Sequence, residues 1–232
     1  MCRSAAAQDE TYQGLYDCLL EPHREVALGF SVSGIVKEIA VDRGDAVKKG
    51  QAVARLSSEL EGVGIELARA KVDFARRKVA RSQELLKDEF VSEYDVDEAV
   101  TELRLAELEA QQAEAAMRLR SLFSPVSGIV VERSLSAGEF VSEEDVMRVV
   151  QIHPLNVEVV VPVDEFGTVR EGMIAVVHLE KPIGGEHEAT VTIVDKVIDA
   201  ASGTFGVRLE MPNEDLAIPA GLKCRVEFPL AE

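Results

Sequence analysis

Tryptophan is absent from the 232 residues, aromatic side chains make up 5 %, and basic residues are the minority sign, with 25 Lys and Arg against 42 Asp and Glu, for a formal charge of −17. A surface of that sign repels nucleic acid and anionic membranes, which excludes non-specific binding to either. Also missing is any stretch near the roughly 18 apolar residues that a membrane-crossing helix needs. The N-terminus, with Arg3 among a few alanines, lacks the apolar segment of a signal peptide. The chain therefore either stays in the cytoplasm or is exported by a segment removed from it. What is present is an apolar content of 47 %, enough to bury a core, in a length suited to one or two ordinary domains.

Cysteine is scarce. Cys2, Cys18 and Cys224 follow no metal-ligand spacing and cannot build a disulfide framework. Cys18 and Cys224 can pair if the chain termini lie together, as they often do. Otherwise they are isolated thiols packed as small apolar groups. His23, His153, His178 and His187 are scattered, with no i, i+4 pair and no neighbouring cysteine, so no zinc site is expected. The five methionines are isolated, and Glu186-His187-Glu188 reads as a solvated loop rather than a weak divalent-ion site. No phosphate loop, nucleophile elbow or paired acid and base occurs. An enzyme is not expected, and neither is a cofactor.

A repeat dominates what remains. Val32-Ser33-Gly34-Ile35-Val36 returns 94 residues later as Val126-Ser127-Gly128-Ile129-Val130. Ten residues past each glycine comes a second one, in Gly44-Asp45-Ala46-Val47 and in Gly138-Glu139-Phe140-Val141. Val and Ile suit half-buried strands, and the second glycines suit tight turns. Neither copy buries two faces alone, so the two are expected to close into one small β-sandwich built from residues 24–57 and 122–151.

Between the copies the period changes to seven. Ile65, Val72, Val79 and Leu86, with Ala68, Ala75 and Ser82, form one heptad series. Val96, Leu103, Ala110 and Met117, with Ala99, Ala106 and Ala113, form another. The break at Asp88-Glu89-Phe90-Val91-Ser92 precedes a capping pair, Ser92 with Asp95. The pattern predicts an antiparallel helical hairpin over 58–121, a rod of roughly 45 Å. Arg76, Arg77, Lys78 and Arg81 would face Glu98 and Glu102. A second apolar stripe, Leu67, Ala70 and Phe74 on one arm with Leu105, Leu108, Ala115, Leu119 and Leu122 on the other, is either covered by another hairpin or partner or buried within a wide seam and against the sandwich. From 152 to 229, five or six strand candidates and a short helix from Asp164 to near Gly172 read as a small β-barrel. Residues 1–23 are left as an N-terminal extension and 230–232 as a tail.

The fold class is thus mainly β: a lipoyl-like barrel-sandwich hybrid split by a coiled-coil hairpin and followed by a β-barrel. This arrangement resembles the periplasmic adaptor proteins, or membrane fusion proteins, of tripartite efflux and secretion systems. The resemblance rests on the two repeat copies, extended by Ser124-Pro125, and on Gly203-Thr204-Phe205 and Pro219-Ala220-Gly221-Leu222. It implies a homo-oligomer, trimer or hexamer, that bridges an inner-membrane transporter of RND type to an outer-membrane channel in the Gram-negative periplasm. An ABC-type exporter or secretion system is the alternative engine, and a self-associating coiled-coil module the alternative function. It further implies that the hairpin tip docks on the channel through Arg81, Leu85 and Ser92, whose spacing matches the family's tip. Family members are commonly anchored by an N-terminal helix or a lipidated cysteine, which makes Cys2 a lipidation candidate. Association with the membrane is otherwise indirect. The chain departs from the family in having only about 20 residues before the sandwich and stopping at Glu232, which leaves a membrane-proximal domain missing or rudimentary. Lipoyl and biotin carriers need an acceptor lysine between the two halves. Leu56-Ser57-Ser58-Glu59-Leu60-Glu61-Gly62 stands there instead.

Overall fold

A computed structural model describes residues 14–228. In chain order it contains strands β1 (Leu15–Gly29), β2 (Gly34–Ile39), β3 (Ala46–Val47) and β4 (Ala52–Leu56), then helices α1 (Glu59–Lys87) and α2 (Glu93–Arg118). Strands β5 (Ser121–Phe123), β6 (Gly128–Arg133), β7 (Phe140–Val141), β8 (Asp145–Pro162), β9 (Ile174–Leu179), β10 (Glu186–Val194), β11 (Thr204–Met211) and β12 (Lys223–Glu227) complete it. The chain falls into two units. One runs from Ala27 to Val149, and the other joins the residues up to Val26 to those from Val150 onward.

In the first unit the sequence repeat becomes a pseudo-symmetric sandwich. Gly44 and Gly138 both take positive φ, 96° and 93°, at the matching turns. Each turn then bonds to the other copy. The Gly44 N–H donates to the Val130 carbonyl and the Gly138 N–H to the Val36 carbonyl, both at 2.8 Å. In return Val130 donates to Asp45 at 3.0 Å and Val36 to Glu139 at 2.8 Å. The halves thus complete one another's backbone bonding, and neither has a satisfied edge by itself. One layer has the order β5-β4-β2-β7, and the other is β3, β6 and the first residues of β8. Val36, Val53, Leu56, Val130, Val141 and Val146 fill the space between them.

The second unit is a closed six-stranded barrel, in the order β1-β12-β9-β10-β11-β8, with β8 pairing back to β1. Closure removes every free strand edge. β11 pairs with β8 without interruption from Thr204 opposite Pro162 to Met211 opposite Leu155. Leu20, Leu155, Val177, Phe205, Leu209, Met211 and Val226 are buried inside. Asn213, also buried, has its side chain satisfied by the Ile152 and Ile218 carbonyls and the Ile218 N–H.

Three expectations change. Residues 15–23 are no extension: they form the first part of β1, with Leu15 to Leu19 paired to β12 from Glu227 to Lys223. Pro22 and the charged His23-Arg24-Glu25 run hide this strand from a hydrophobicity reading, because both are depleted from strands. Yet Cys18, Leu20 and Leu28 keep an inward face. The helix expected from Asp164 is a single 3₁₀ turn, Val163–Glu165, since Gly167 at φ 97° ends it at once. Leu122, assigned to the hairpin stripe, lies buried on β5. Cys2 and the tail lie outside the described residues.

Cys18 and Cys224 stand opposite one another on β1 and β12 and are joined by a disulfide, with Cα atoms 4.8 Å apart. His178 lies between Glu186 and Glu227, 3.6 and 3.4 Å away. Among the described residues no three His, Cys, Asp or Glu converge to hold a metal.

Candidate functional site

The hairpin begins where a carrier domain would present its lysine. β4 ends at Leu56, and the chain passes through Ser57 and Ser58 directly into α1. Its heptads meet as predicted: Ala68, Ala75 and Val79 on α1 and Ala99 and Ala106 on α2 are buried in the seam. Alanine at these positions lets the helices approach closely. Lys71 bonds Glu109 at 2.7 Å, Lys78 bonds Glu102 at 2.6 Å and Arg69 bonds Glu114 at 3.0 Å, which fixes the register of the arms. Lys78 has its ammonium pKa raised, chiefly by the bond to Glu102. Of the other expected basic partners, Arg76 turns to Asp73 on its own helix, 4.0 Å away. Arg77 and Arg81 have no ion pair or hydrogen bond among the described residues.

At the tip, α1 ends in a Schellman motif. Glu89 takes φ 59°, its N–H donates to Leu86 at 3.0 Å, and the N–H of Phe90 reaches back to Leu85 at 2.9 Å. Glycine is usual at such a position, and an L side chain there costs about 1–2 kcal/mol. Ser92 then starts α2 with a capping box. Its N–H donates to Asp95 Oδ2 at 2.8 Å, its hydroxyl donates to the same oxygen at 2.6 Å, and Oγ accepts from the Asp95 N–H at 3.3 Å. These bonds hold the Asp95 carboxyl below its usual range, the hydroxyl being the larger cause.

The three residues marked by spacing therefore stand in different conditions. Arg81 is exposed with its donors unused, Leu85 is half-buried one turn further out, and Ser92 spends its donor on its own helix. Two residues that the spacing did not mark are the most prominent at the tip: Phe90 and Tyr94 are 77 % and 76 % exposed. A signal was available, since both are aromatic in an aromatic-poor chain and lie at or just beyond the heptad break. Further down, Leu67, Ala70, Phe74 and Ala75 of α1 with Leu105 and Ala106 of α2 line an open groove of about 450 Å³.

Comparison with known proteins follows the same architecture. The chain is 29 % identical to the multidrug resistance protein MdtA of Escherichia coli (strain SMS-3-5 / SECEC) over 81 % of its own length and 51 % of that protein. It is 23 % identical to the solvent efflux pump periplasmic linker SrpA of Pseudomonas putida, over 82 % of this chain and 54 % of the relative. The chain thus spans about half the length of the curated relatives it matches. A crystal structure of a putative efflux transporter from Bacteroides eggerthii DSM 20697 superposes with a TM-score of 0.77 at 21 % identity, covering 92 % of this chain and 67 % of that one, which shows the shared fold. The family model of the CzcB-like barrel-sandwich hybrid domain matches residues 24–151, the sandwich with its inserted hairpin. That match covers more than half of the chain, and the protein belongs to the CzcB-like barrel-sandwich hybrid family.

Proposed function

We propose that this protein is the adaptor subunit of a tripartite efflux pump, a structural linker in the periplasm that bridges an inner-membrane transporter, of RND type, to an outer-membrane channel. The observation that carries this reading is the hairpin inserted between the sandwich halves. Its arms span 29 and 26 residues and end in an apolar tip beside an arginine with no partner among the described residues. The likeness to MdtA, a multidrug resistance protein, and to SrpA, the periplasmic linker of a solvent efflux pump, supports it, as does the Cys18–Cys224 disulfide, since such bonds persist in oxidising compartments.

The contact is read at the residues as follows. Arg81 supplies a fork of donors for carbonyls or carboxylates of the channel. Leu85, with Phe90 and Tyr94, supplies apolar anchors for grooves on it. Ser92, whose hydrogen is already given to Asp95, contributes an acceptor to a channel N–H while shaping the start of α2.

The test is resistance in a strain lacking the native protein, complemented at equal expression with Arg81→Glu or Leu85→Asp. Each variant is expected to return the strain to the susceptibility of the deletion. A Gln111→Ala control, away from the tip, is expected to retain resistance. Full resistance from both tip variants would overturn the docking role.

A further inference from the structure

Helix α1 is weakest where it leaves the sandwich. Its N-cap, Ser58, makes no side-chain bond to the first turn. Glu59 accepts from its own N–H and from Lys37, with both side chains exposed to solvent. Gly62 and Gly64 follow. A Cβ at either would meet nothing within 4 Å, and neither takes positive φ, so packing and backbone angle do not call for glycine at these places. Inside a helix glycine is less favourable than alanine, because it loses more backbone freedom on ordering. Apolar burial does not offset this weakness: Leu60 and Val63 are 85 % and 64 % exposed, and the first α1 side chain buried in the seam is Ala68. The other arm ends at the same level in Ala115-Ala116-Met117-Arg118, all strong helix formers.

Arg120 compensates from outside the helix. Its backbone belongs to the β scaffold, since its carbonyl accepts the Leu56 N–H and the next residue opens β5. Its guanidinium bonds Glu61 through Nε and Nη2, and the Ser33 carbonyl through Nη1. Arg120 and Glu61 are both mostly buried, so solvent screens this pair less than the exposed Lys37–Glu59 pair. We propose that Arg120 is the positioning residue of the hairpin, a latch that keeps α1 helical from Glu59 through Gly64 and so fixes the direction in which the rod leaves the sandwich. A helix frays from an unanchored end. With Arg120 in place the first turn is tied to the scaffold, and the two glycines lie inside an anchored helix. Without it no buried side chain stops the fraying before Ala68, and α2 alone carries the rod.

Direction matters at this length. A swing of about 10° at the root moves the tip of a rod of roughly 45 Å by roughly 7 Å. That is more than the distance tolerance of a hydrogen bond. The consequence for docking rests on the adaptor reading, in which the tip meets a channel, whereas the latch is a property of the chain by itself.

Hydrogen exchange of the full chain, read by mass spectrometry, tests the latch without a partner. Arg120→Ala and Glu61→Ala are each expected to speed exchange of the amides at 62–67 by about tenfold or more, the scale of a lost charge-assisted bond, while residues 70–86 and the barrel keep the exchange of the parent. Adding Gly62→Ala and Gly64→Ala is expected to bring slow exchange back, because helix propensity then replaces the latch. Spin labels at Gln83→Cys near the tip and Phe123→Cys on β5, in a Cys2→Ser chain, are expected to give a broader distance distribution with Arg120→Ala, and the parent width once the two alanines are added. Unchanged exchange at 62–67 in both single variants would overturn the proposal. So would exchange that quickens alike along all of α1, alanines that restore nothing, or a distance distribution as narrow as that of the parent. If exchange and distance respond as stated while Arg81→Glu and Leu85→Asp leave resistance intact, the latch stands and the docking reading falls.

Discussion

Arg120 reaches across the root of the hairpin to Glu61, with its Nε donating to Glu61 Oε1 at 2.8 Å, while Nη1 donates to the Ser33 carbonyl at 2.9 Å. An ion pair thus takes a seam position where the heptads meet the sandwich, and one guanidinium, on the turn after α2, ties α1 to the residue that precedes β2. Gly34 makes room for it, since a Cβ there would stand 2.7 Å from Nη1 and 3.2 Å from Leu56 Cδ1. The first repeat glycine thus leaves room for the end of the Arg120 side chain, which a Cβ would push aside, and is not there for its backbone angle.

Arg120→Ala is expected to cost about 1–3 kcal/mol, because it removes charge-assisted bonds and leaves the mostly buried Glu61 without its partner. Gly34→Ala should cost a similar amount by displacing the same side chain. In urea unfolding the double variant should lose less than the sum of the two. Simple additivity would show that Gly34 acts independently of Arg120.

Acid should loosen the tip through the Ser92 cap. The Asp95 carboxyl has a lower pKa folded than unfolded. Its contribution is therefore complete above the unfolded value, near 3.9, and is lost as pH falls through the folded value. An NMR titration of that carboxyl should show a midpoint below the ordinary carboxylate range. Ser92→Ala should raise the midpoint part of the way toward that range, the Ser92 backbone N–H still donating to the carboxylate, and cost about 1 kcal/mol at neutral pH, the usual worth of an N-cap. A normal midpoint in the parent chain would contradict the cap geometry.

The Cys18–Cys224 bridge joins residues 206 apart in sequence and links β1 to β12 in the barrel. In the loop-entropy limit a cross-link of this span stabilises by about 5 kcal/mol. Alkylation of the unreduced, denatured chain should modify Cys2 alone, and reduction should expose two more thiols and lower the barrel's Tm. Three reactive thiols without reductant would disprove the bridge.

Much of this was legible in the sequence because it rests on periodicity. The 94-residue repeat specified the sandwich, since Val36, Val130 and the turn glycines keep their spacing. The seven-residue pattern specified the hairpin, and the Ser92 and Asp95 pair specified where α2 begins. β1 was not legible, because Pro22 and three adjacent charged or polar side chains mask an alternating face that becomes clear only when β12 lies beside it. The tip aromatics escaped for a related reason. Heptads describe the seam, whereas Phe90 and Tyr94 point outward where the chain reverses, and positive φ at Glu89 has no residue-type signal.

The hairpin leaves and rejoins the sandwich at one place, for the Leu56 N–H donates to the Arg120 carbonyl at 2.8 Å. The fold therefore imposes no particular reach on the insertion. Both arms can grow or shrink together in seven-residue units, each changing the length by roughly 10 Å, while the seam and its outward columns stay in phase. Distance between whatever lies at the two ends is thus a heritable dimension, adjustable like the rungs of a ladder without redesign of the β scaffold that bears it.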